Sequence, residues 1–418
     1  MPRSSKWIYK TKRRRRGGKA IVAALCLLAA CGAFFAVMHI YDGWPEKPEP
    51  ETEAATTEPP SETAPAEEPA QPIKIPTVKV KGLYVTAWSA GMEDRMAHYI
   101  ELCDTTEINT LVIDVKDDRG NITFLNAIPG AAQASDNIIP DIGKTMARLK
   151  AHGIYTVARL SCFKDPLWSG LHPEQALQNA RGAPWRDADG ITWLNPYNKD
   201  SWAYIAAVAK EAARIGFDEV QLDYVRFPTG GRLDAIDFAG ADAAQSKAEV
   251  IGEFLRYIRE ALADTKVCLS ADVFGITAMH RGDHENIGQD VDVMARNADM
   301  LSLMLYPSHF ANKRQNGQGQ IIGETLFPAP DTQPYEVIYN SLIMIKYRVP
   351  QDGKRAGMRP YLQDFTASYL GSGYYLTYTA QQVREQIQAV YDAGFEEWIL
   401  WNASGAYTED ALLPQASN

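Results

Sequence analysis

The 418-residue sequence has few cysteines and few histidines, which limits the chemistry it can support. Its five cysteines are scattered, so neither a disulfide framework nor a metal-binding spacing is present. Among seven histidines, His280 and His284 have the four-residue spacing that places two side chains on one helical face. No predicted strand ends in a cluster of histidines, so we predict no metal and no cofactor. A metal-dependent hydrolase that uses this pair is the weaker enzymatic alternative.

Two other features are missing. No glycine-rich phosphate loop follows an early strand, which disfavours a doubly wound nucleotide-binding sheet. The net charge is −10 and no basic patch suited to a phosphate backbone is evident, so we expect no nucleic-acid partner.

The N-terminal 78 residues differ in composition from the rest of the chain. The first nineteen residues include nine basic and no acidic side chains, which is typical of a cytoplasmic tail. Residues 20–41 form an apolar run of about the roughly 20 residues that a spanning helix needs. We predict a basic tail at 1–19, a transmembrane signal anchor at 20–41 that places the rest outside the cytoplasm, and a disordered Pro/Glu/Thr-rich linker at 42–78.

Two alternatives to this anchor are a cleaved signal peptide and a lipoprotein attached through Cys31. The sequence from Leu28 to Cys31 is similar to a bacterial lipobox. However, apolar residues continue to Met38, beyond the roughly 7–15 residues of a cleaved signal core. An uncleaved anchor in the cell membrane is therefore favoured.

From residue 79 onward, short apolar runs alternate with amphipathic stretches. Eight candidate strands and intervening helices predict a parallel sheet closed into a (β/α)₈ TIM barrel spanning 79–414. The predicted strands are 82–88, 110–116, 154–162, 219–227, 267–274, 300–306, 359–365 and 398–403, and the predicted helices include 142–152, 201–215, 248–264, 337–347 and 380–393.

Polar residues stand at the outgoing ends of most of these strands, where barrels carry their functional groups. Glycoside hydrolysis suits such a set, because it needs one ionised and one protonated carboxyl group beside the scissile bond. We predict Asp223 and Asp272, on neighbouring strands, as the catalytic pair. Arg226 or Arg159 would keep one acid ionised. Asp114 and Asp364 are reserve candidates for either role.

Sugar faces are apolar, so aromatic side chains edged by polar groups are typical of carbohydrate sites. Several tryptophans follow the third strand, and others stand at strand ends. The predicted substrate-binding residues are Asp114, Lys116, Arg159, Trp168, Trp193, Arg226, Tyr306, His309, Asp364, Trp401 and Asn402.

Seven motifs carry a resemblance to a known family: VIDVKDD (112–118), FKDPL (163–167), DYVRFP (223–228), SADVFG (270–275), LYPSH (305–309), LQDFT (362–366) and WILWN (398–402). Over about residues 81–407, the chain resembles a bacterial domain family of unknown function that is classed with the glycoside hydrolases. The resemblance implies a glycosidase-like TIM barrel and does not imply a substrate.

Together these patterns predict a membrane-anchored, extracytoplasmic glycoside hydrolase. Its expected partners are the membrane, through residues 20–41, and a cell-wall or extracellular polysaccharide. The non-enzymatic alternative is a barrel that binds glycans without cleaving them, because Asp223 and Asp272 would also serve as sugar ligands.

Overall fold

The computed structural model describes residues 73–238, 245–349 and 355–415. The predicted tail, the anchor and the linker up to residue 72 lie outside these ranges. Among the described residues, no helix is both long and apolar enough to cross a membrane.

Eight parallel strands close into a barrel in chain order, and the eighth pairs with the first. This confirms the predicted (β/α)₈ TIM barrel, and every predicted strand overlaps an observed one. The strands are β1 (Lys81–Val85), β2 (Thr110–Lys116), β3 (Tyr155–Ser161), β4 (Glu219–Asp223), β5 (Cys268–Phe274), β6 (Met300–Met304), β7 (Gly357–Gln363) and β8 (Trp398–Trp401).

Helices surround the barrel, and all five predicted helices are found. The two helices between β1 and β2 were not among those predicted. The helices are α1 (Ala87–Ala90), α2 (Glu93–Thr105), α3 (Ile142–Ala151), α4 (Pro166–Leu171), α5 (Lys199–Ile215), α6 (Lys247–Ala261), α7 (Gly275–Met279), α8 (Val291–Asn297), α9 (Lys313–Asn316), α10 (Pro334–Arg348) and α11 (Ala380–Asp392). Two small antiparallel pairs lie outside the barrel, Gln178–Asn179 with Ile236–Asp237 and Gln320–Ile322 with Thr325–Phe327.

The joint between α5 and β4 shows how the chain aims the central strand. Asn198 caps the start of α5 by accepting bonds from the amides of Asp200 and Ser201. Gly216 ends the helix at φ 104°, a left-handed conformation that costs glycine little. The chain then turns directly into β4, which delivers Asp223 to the carboxyl end of the barrel.

Apolar side chains pack in two places. The larger cluster lies between the barrel wall and the helices, as the alternation of strand residues requires. A smaller cluster combines aliphatic and tyrosine side chains from inward-facing strand positions: Val80, Tyr84, Val112, Tyr155, Val157, Tyr306, Tyr361 and Ile399.

The amino end of the barrel interior contains a buried and fully partnered carboxylate. Glu219 is paired with Arg359 and accepts further bonds from Tyr155 Oη at 3.2 Å and Ser270 Oγ at 2.5 Å. Buried charges are tolerated when they are paired and hydrogen-bonded in this way. The hydrogen bonding of Glu219 can therefore be compared with that of the buried acids at the carboxyl end of the barrel.

The folded unit begins before β1. The Lys74 amide donates to Asp299 Oδ1 at 2.9 Å, and its ammonium donates to the carbonyls of Leu262 and Thr265. These contacts tie residue 74 to the amino side of β5 and β6. The barrel domain therefore includes residues that composition alone assigned to the linker at 42–78.

Candidate functional site

Three acids meet at the carboxyl end of the barrel. Asp114 stands on β2 directly opposite Arg159 of β3 in the strand register. Asp223 is the last residue of β4. Because Leu222 of β4 pairs with Ala271 of β5, Asp223 lies beside Asp272 of β5. The structure thus brings together the predicted pair and one of the two reserve acids.

Arg159 links two of these acids. Its Nε donates to Asp223 Oδ2 at 3.0 Å, its Nη2 donates to the same oxygen, and its Nη1 donates to Asp114 Oδ1 at 2.6 Å. A guanidinium held this close stabilises the ionised form of a carboxylate. Of Arg159 and Arg226, the two arginines predicted to keep one acid ionised, Arg159 is the one that is hydrogen-bonded to Asp223.

Asp114 has a mixed environment. Burial raises the pKa of its carboxyl to about 6, although Arg159 opposes the shift. Its second oxygen accepts a hydrogen bond from Tyr84 Oη at 2.6 Å. Since both oxygens already have protein partners, Asp114 is better placed to orient Arg159 than to react itself.

Asp272 differs sharply from its neighbours. Only 2 % of the residue is exposed, and neither carboxylate oxygen has a hydrogen-bond partner among the described residues. Burial, reinforced by the adjacent charge of Asp223, raises the pKa of Asp272 well above its usual range. Glu219 is surrounded by hydrogen-bond partners, whereas Asp272 has none among the described residues, so its buried environment favours the neutral form of the carboxyl group.

The backbone just after Asp223 is strained. Tyr224 adopts φ 49°, a left-handed conformation that is uncommon for a residue with a bulky side chain. In this conformation its amide donates to Asp223 Oδ1 at 2.6 Å, which holds the carboxylate in place. Backbone strain of this kind is concentrated at functional sites.

Aromatic rings form one wall of the mouth. Trp401, at the end of β8, lies 5.6 Å from the ring of Tyr306 and 6.1 Å from that of Tyr84, measured between centroids. His309 packs edge-on against Tyr306 at 4.8 Å, and burial lowers its pKa to about 4, so the imidazole is neutral at pH 7. The structure thus brings together three of the residues predicted to bind substrate, Tyr306, His309 and Trp401.

Arg226 and Trp193 lie on the other side of the acids. The guanidinium carbon of Arg226 is 5.1 Å from the centre of the Trp193 ring and 4.6 Å from that of Phe274, which follows Asp272 on β5. The Trp193 indole nitrogen donates to Asp187 Oδ2 at 2.9 Å, which fixes the ring. Both predicted residues therefore border the site, but no hydrogen bond joins Arg226 to Asp223.

Two predicted substrate contacts point elsewhere. Lys116 is fully buried outside the barrel wall, where its ammonium lies 2.8 Å from Asp165 Oδ2 and donates to the Ser161 carbonyl. Trp168 is stacked on Tyr204 at 3.7 Å between centroids. Both side chains stabilise the packing of loops and helices and do not reach the acids.

The reserve acid Asp364 and the neighbouring Asn402 are also occupied structurally. Both oxygens of Asp364 accept bonds from Thr408, from its hydroxyl at 2.6 Å and its amide at 2.9 Å. The Asn402 amide donates to the carbonyls of Asp364 and Ala406, and its oxygen accepts from Ser404. These hydrogen bonds shape the loop after β8, so Asp364 and Asn402 have a structural role there.

The histidine pair considered for a metal site is not part of this group. The rings of His280 and His284 stack at 4.0 Å, and Asp283 between them accepts the amides of Ile287 and Gly288. Within the described ranges, no three His, Cys, Asp or Glu side chains are grouped so that they could hold a metal ion.

Sequence reasoning missed Tyr84 and Tyr361. Tyr84 donates to Asp114, and Tyr361 donates to Gln221 Oε1 at 2.6 Å beneath the acids. Both occupy inward positions of the strand alternation, which was the available signal. Attention to strand ends alone passed over Tyr84, and the nearby Trp88 is 64 % exposed on α1.

Comparisons with known proteins agree with this architecture. Residues 82–407 match a family model described as "Putative glycosyl hydrolase domain". A hypothetical protein from Ruminiclostridium thermocellum is 42% identical, with coverage of 46% of this chain and 97% of that chain and a TM-score of 0.43. No curated protein matches the sequence.

Two more distant structures are glycosidases. The PgaB (BpsB) glycoside hydrolase domain from Bordetella bronchiseptica is 13% identical, covers 81% of this chain and 99% of its own, and has a TM-score of 0.57. TtGalA, an alpha-galactosidase from Thermus thermophilus, is 14% identical, covers 80% and 60%, and has a TM-score of 0.47. At these identities, the similarity to the PgaB (BpsB) domain shows a shared fold alone. The TM-score of the TtGalA match is too low to support an inference about this chain.

Proposed function

The chain belongs to the family described as a putative glycosyl hydrolase domain, and from this we propose that it hydrolyses glycosidic bonds by a two-carboxylate mechanism. Asp272 acts as the general acid. Asp223 acts as the nucleophile or as the base that activates water. The observation that supports this assignment is the contrast between two acids on adjacent strands, one held by Arg159 and the other without a partner.

The contrast matches what the reaction requires. A protonated carboxyl can donate its proton to the oxygen of the leaving sugar, and a carboxylate can stabilise or attack the positive anomeric carbon. The unpaired Asp272 supplies the proton, and the Arg159-bound Asp223 supplies the negative charge. If Asp223 is the nucleophile, Asp272 can act after losing its proton as the base that activates water to hydrolyse the glycosyl-enzyme, and if Asp223 is the base, water attacks in a single step.

We further propose that the enzyme is attached to the cell membrane through residues 20–41 and acts on a cell-wall or extracellular polysaccharide. Support for this comes from the basic residues and the apolar run of the N-terminal sequence. The aromatic wall of Tyr84, Tyr306 and Trp401 supports a sugar substrate, because such rings stack on the apolar faces of pyranose units.

The test is to incubate the full-length protein with cell-wall and exopolysaccharide preparations and to measure released sugars by mass spectrometry. We expect the wild-type protein to release oligosaccharides and Asp272→Asn to release them roughly 10²–10⁴-fold more slowly. Binding of a polysaccharide without any release would instead favour the glycan-binding barrel. NMR of the first-formed anomer then shows whether configuration is retained or inverted.

A further inference from the structure

Arg226 is a buried cation without a salt-bridge partner among the described residues. Only 7 % of the residue is exposed, and the nearby carboxylates of Asp223 and Asp187 act on its charge without forming a hydrogen bond to it. Among the described residues, its only hydrogen-bond acceptor is the Phe227 carbonyl, 2.9 Å from Nη1. A guanidinium has five N–H donors, so most of its capacity is unused. Burying such a charge is costly unless something neutralises it.

Aromatic rings enclose this charge. The guanidinium carbon lies 5.1 Å from the centre of Trp193, 5.3 Å from Tyr224 and 4.6 Å from Phe274. Cation–π contacts offset part of the cost of burial but supply no hydrogen-bond acceptor. Burial still lowers the pKa of Arg226, which shows that its surroundings favour the charge less than water does. A bound anion would therefore stabilise the charged guanidinium of Arg226.

A second cation stands beside the first. The Lys164 ammonium is 4.7 Å from the centre of the same Tyr224 ring and 3.4 Å from its hydroxyl. Its carboxylate partner is Asp118 at 3.4 Å, and that side chain is 52 % exposed. Two positive groups therefore flank one tyrosine in a chain whose overall charge is −10.

The two cations adjoin the proposed catalytic acids. Tyr224 directly follows Asp223, and Phe274 lies two residues beyond Asp272 on the same inward face, about 6–7 Å nearer the mouth. Tyr224, Phe274 and Lys164 are all partly exposed, so the cluster opens to solvent. A sugar ring held here would lie next to the bond that the acids cleave.

We propose that Arg226 and Lys164 form a subsite for the carboxylate of an acidic sugar, so that the substrate is an anionic polysaccharide containing uronic acid or another carboxylate-bearing unit. The planar guanidinium fits a carboxylate through paired hydrogen bonds, and the partly exposed ring of Tyr224 can contact the sugar face. This inference rests on the proposed hydrolase function, because it names the substrate class of the same site.

The test uses a uronate-containing polysaccharide that the full-length enzyme cleaves and the same polymer after chemical reduction of its carboxylates to hydroxymethyl groups. Wild type should favour the acidic polymer by at least about tenfold in kcat/KM. Arg226→Gln and Lys164→Gln should lower kcat/KM on the acidic polymer much more than on the reduced polymer, mainly by raising KM for the acidic one. Arg226→Lys, which keeps the charge, should retain part of the preference.

Lys247→Gln is the matched control, because Lys247 also lies over an aromatic ring, that of Phe227 at 5.2 Å, but donates to the Asn286 carbonyl. It should leave the preference intact. Equal cleavage of both polymers by wild type would overturn the subsite. An equal loss on both polymers in Arg226→Gln would show a purely structural role and would also overturn it.

Binding separates failure of this inference from failure of the hydrolase proposal. If wild type cleaves no polymer, titration with D-glucuronate and with methyl β-D-glucoside still tests the subsite. Binding of glucuronate alone that is lost in Arg226→Gln supports the subsite even when hydrolysis is absent. Failure of glucuronate to bind overturns it, whichever polymers are cleaved. Tighter binding of a sulfated monosaccharide than of glucuronate would also count against a carboxylate site.

Discussion

Asp223 and Asp272 occupy neighbouring positions on adjacent strands, yet among the described residues only Asp223 has hydrogen-bond partners. Asp223 accepts hydrogen bonds from Arg159 and from the Tyr224 amide. Asp272 is buried beside the charge of Asp223, which makes its own ionisation costly. Two identical side chains thus have opposite environments, and the proposed division of roles depends on this contrast.

Replacement of either acid by Asn should preserve the fold and reduce hydrolysis by roughly 10²–10⁴-fold. For Asp272→Asn, the loss should shrink on aryl glycosides with a good leaving group, since these need little protonation. Asp223→Asn should show no such rescue. Steady-state kinetics on two leaving groups measures this, with Asp234→Asn as the control because its pair with Arg232 lies on the surface. Hydrolysis that survives both substitutions would make Asp114 the next candidate.

The pH dependence of kcat/KM should show a fall in activity as pH rises through the raised pKa of Asp272. The reason is that the general acid must be protonated, and burial with the neighbouring Asp223 charge moves its titration to higher pH. Asp272→Asn, assayed on an activated substrate, should lose this alkaline fall. An unchanged profile in the variant would assign the alkaline fall to another group.

Asp272→Asn should also unfold at a higher temperature than wild type near neutral pH. A carboxyl whose folded pKa is raised contributes stability at low pH, and that contribution is lost as pH rises through the folded value. An amide does not ionise, so the variant avoids this loss. Thermal melting at several pH values measures the difference, which should disappear in acid. A variant that is less stable than wild type at neutral pH would contradict the unpaired burial of Asp272.

Asp364→Asn provides the comparison for that experiment. Its carboxyl is also buried, but both oxygens accept bonds from Thr408. Loss of a partnered acceptor should destabilise the fold by about 1–3 kcal/mol at neutral pH. The two substitutions should therefore shift the melting temperature in opposite directions.

Trp401→Ala and Trp168→Ala should affect different properties. Trp401 lies in the aromatic wall, so its truncation should raise KM with little loss of stability. Trp168 is buried against Tyr204, so its truncation should cost about 3–5 kcal/mol of unfolding free energy without a selective change in KM. Kinetics and chemical denaturation of both variants test the distinction. A stability loss in Trp401→Ala as large as that in Trp168→Ala would remove Trp401 from the substrate wall.

Protease added to intact cells should release a folded barrel whose first residue lies between 42 and 74. The composition of residues 42–72 predicts an accessible tract, and the contacts of Lys74 with Asp299 should protect the chain beyond it. Mass spectrometry of the released fragment identifies its start. Recovery of the fragment only after cell lysis would contradict the proposed topology.

Lys116 shows that position near the end of a strand does not by itself determine which face of the barrel a side chain occupies. Alternation would put Lys116 on the same face as Asp114, two residues earlier. The register between β2 and β3 shifts between these residues, and Lys116 pairs with Leu160. A β-bulge of this kind inserts an extra residue and reverses the facing of those that follow. The lysine is thereby directed outward to Asp165, and nothing in the local sequence reports the shift.

The sequence by itself determined the strands, the closed barrel and the position of Asp223 and Asp272 at neighbouring strand ends. These properties depend on local periodicity and on chain order, both of which are readable without coordinates. Only the tertiary structure decided that Arg159 pairs with Asp223, that Asp272 has no partner, and that Asp364 is bound to Thr408. Such pairings join residues far apart in the chain, and they depend on side-chain direction and depth of burial, which chain order does not specify.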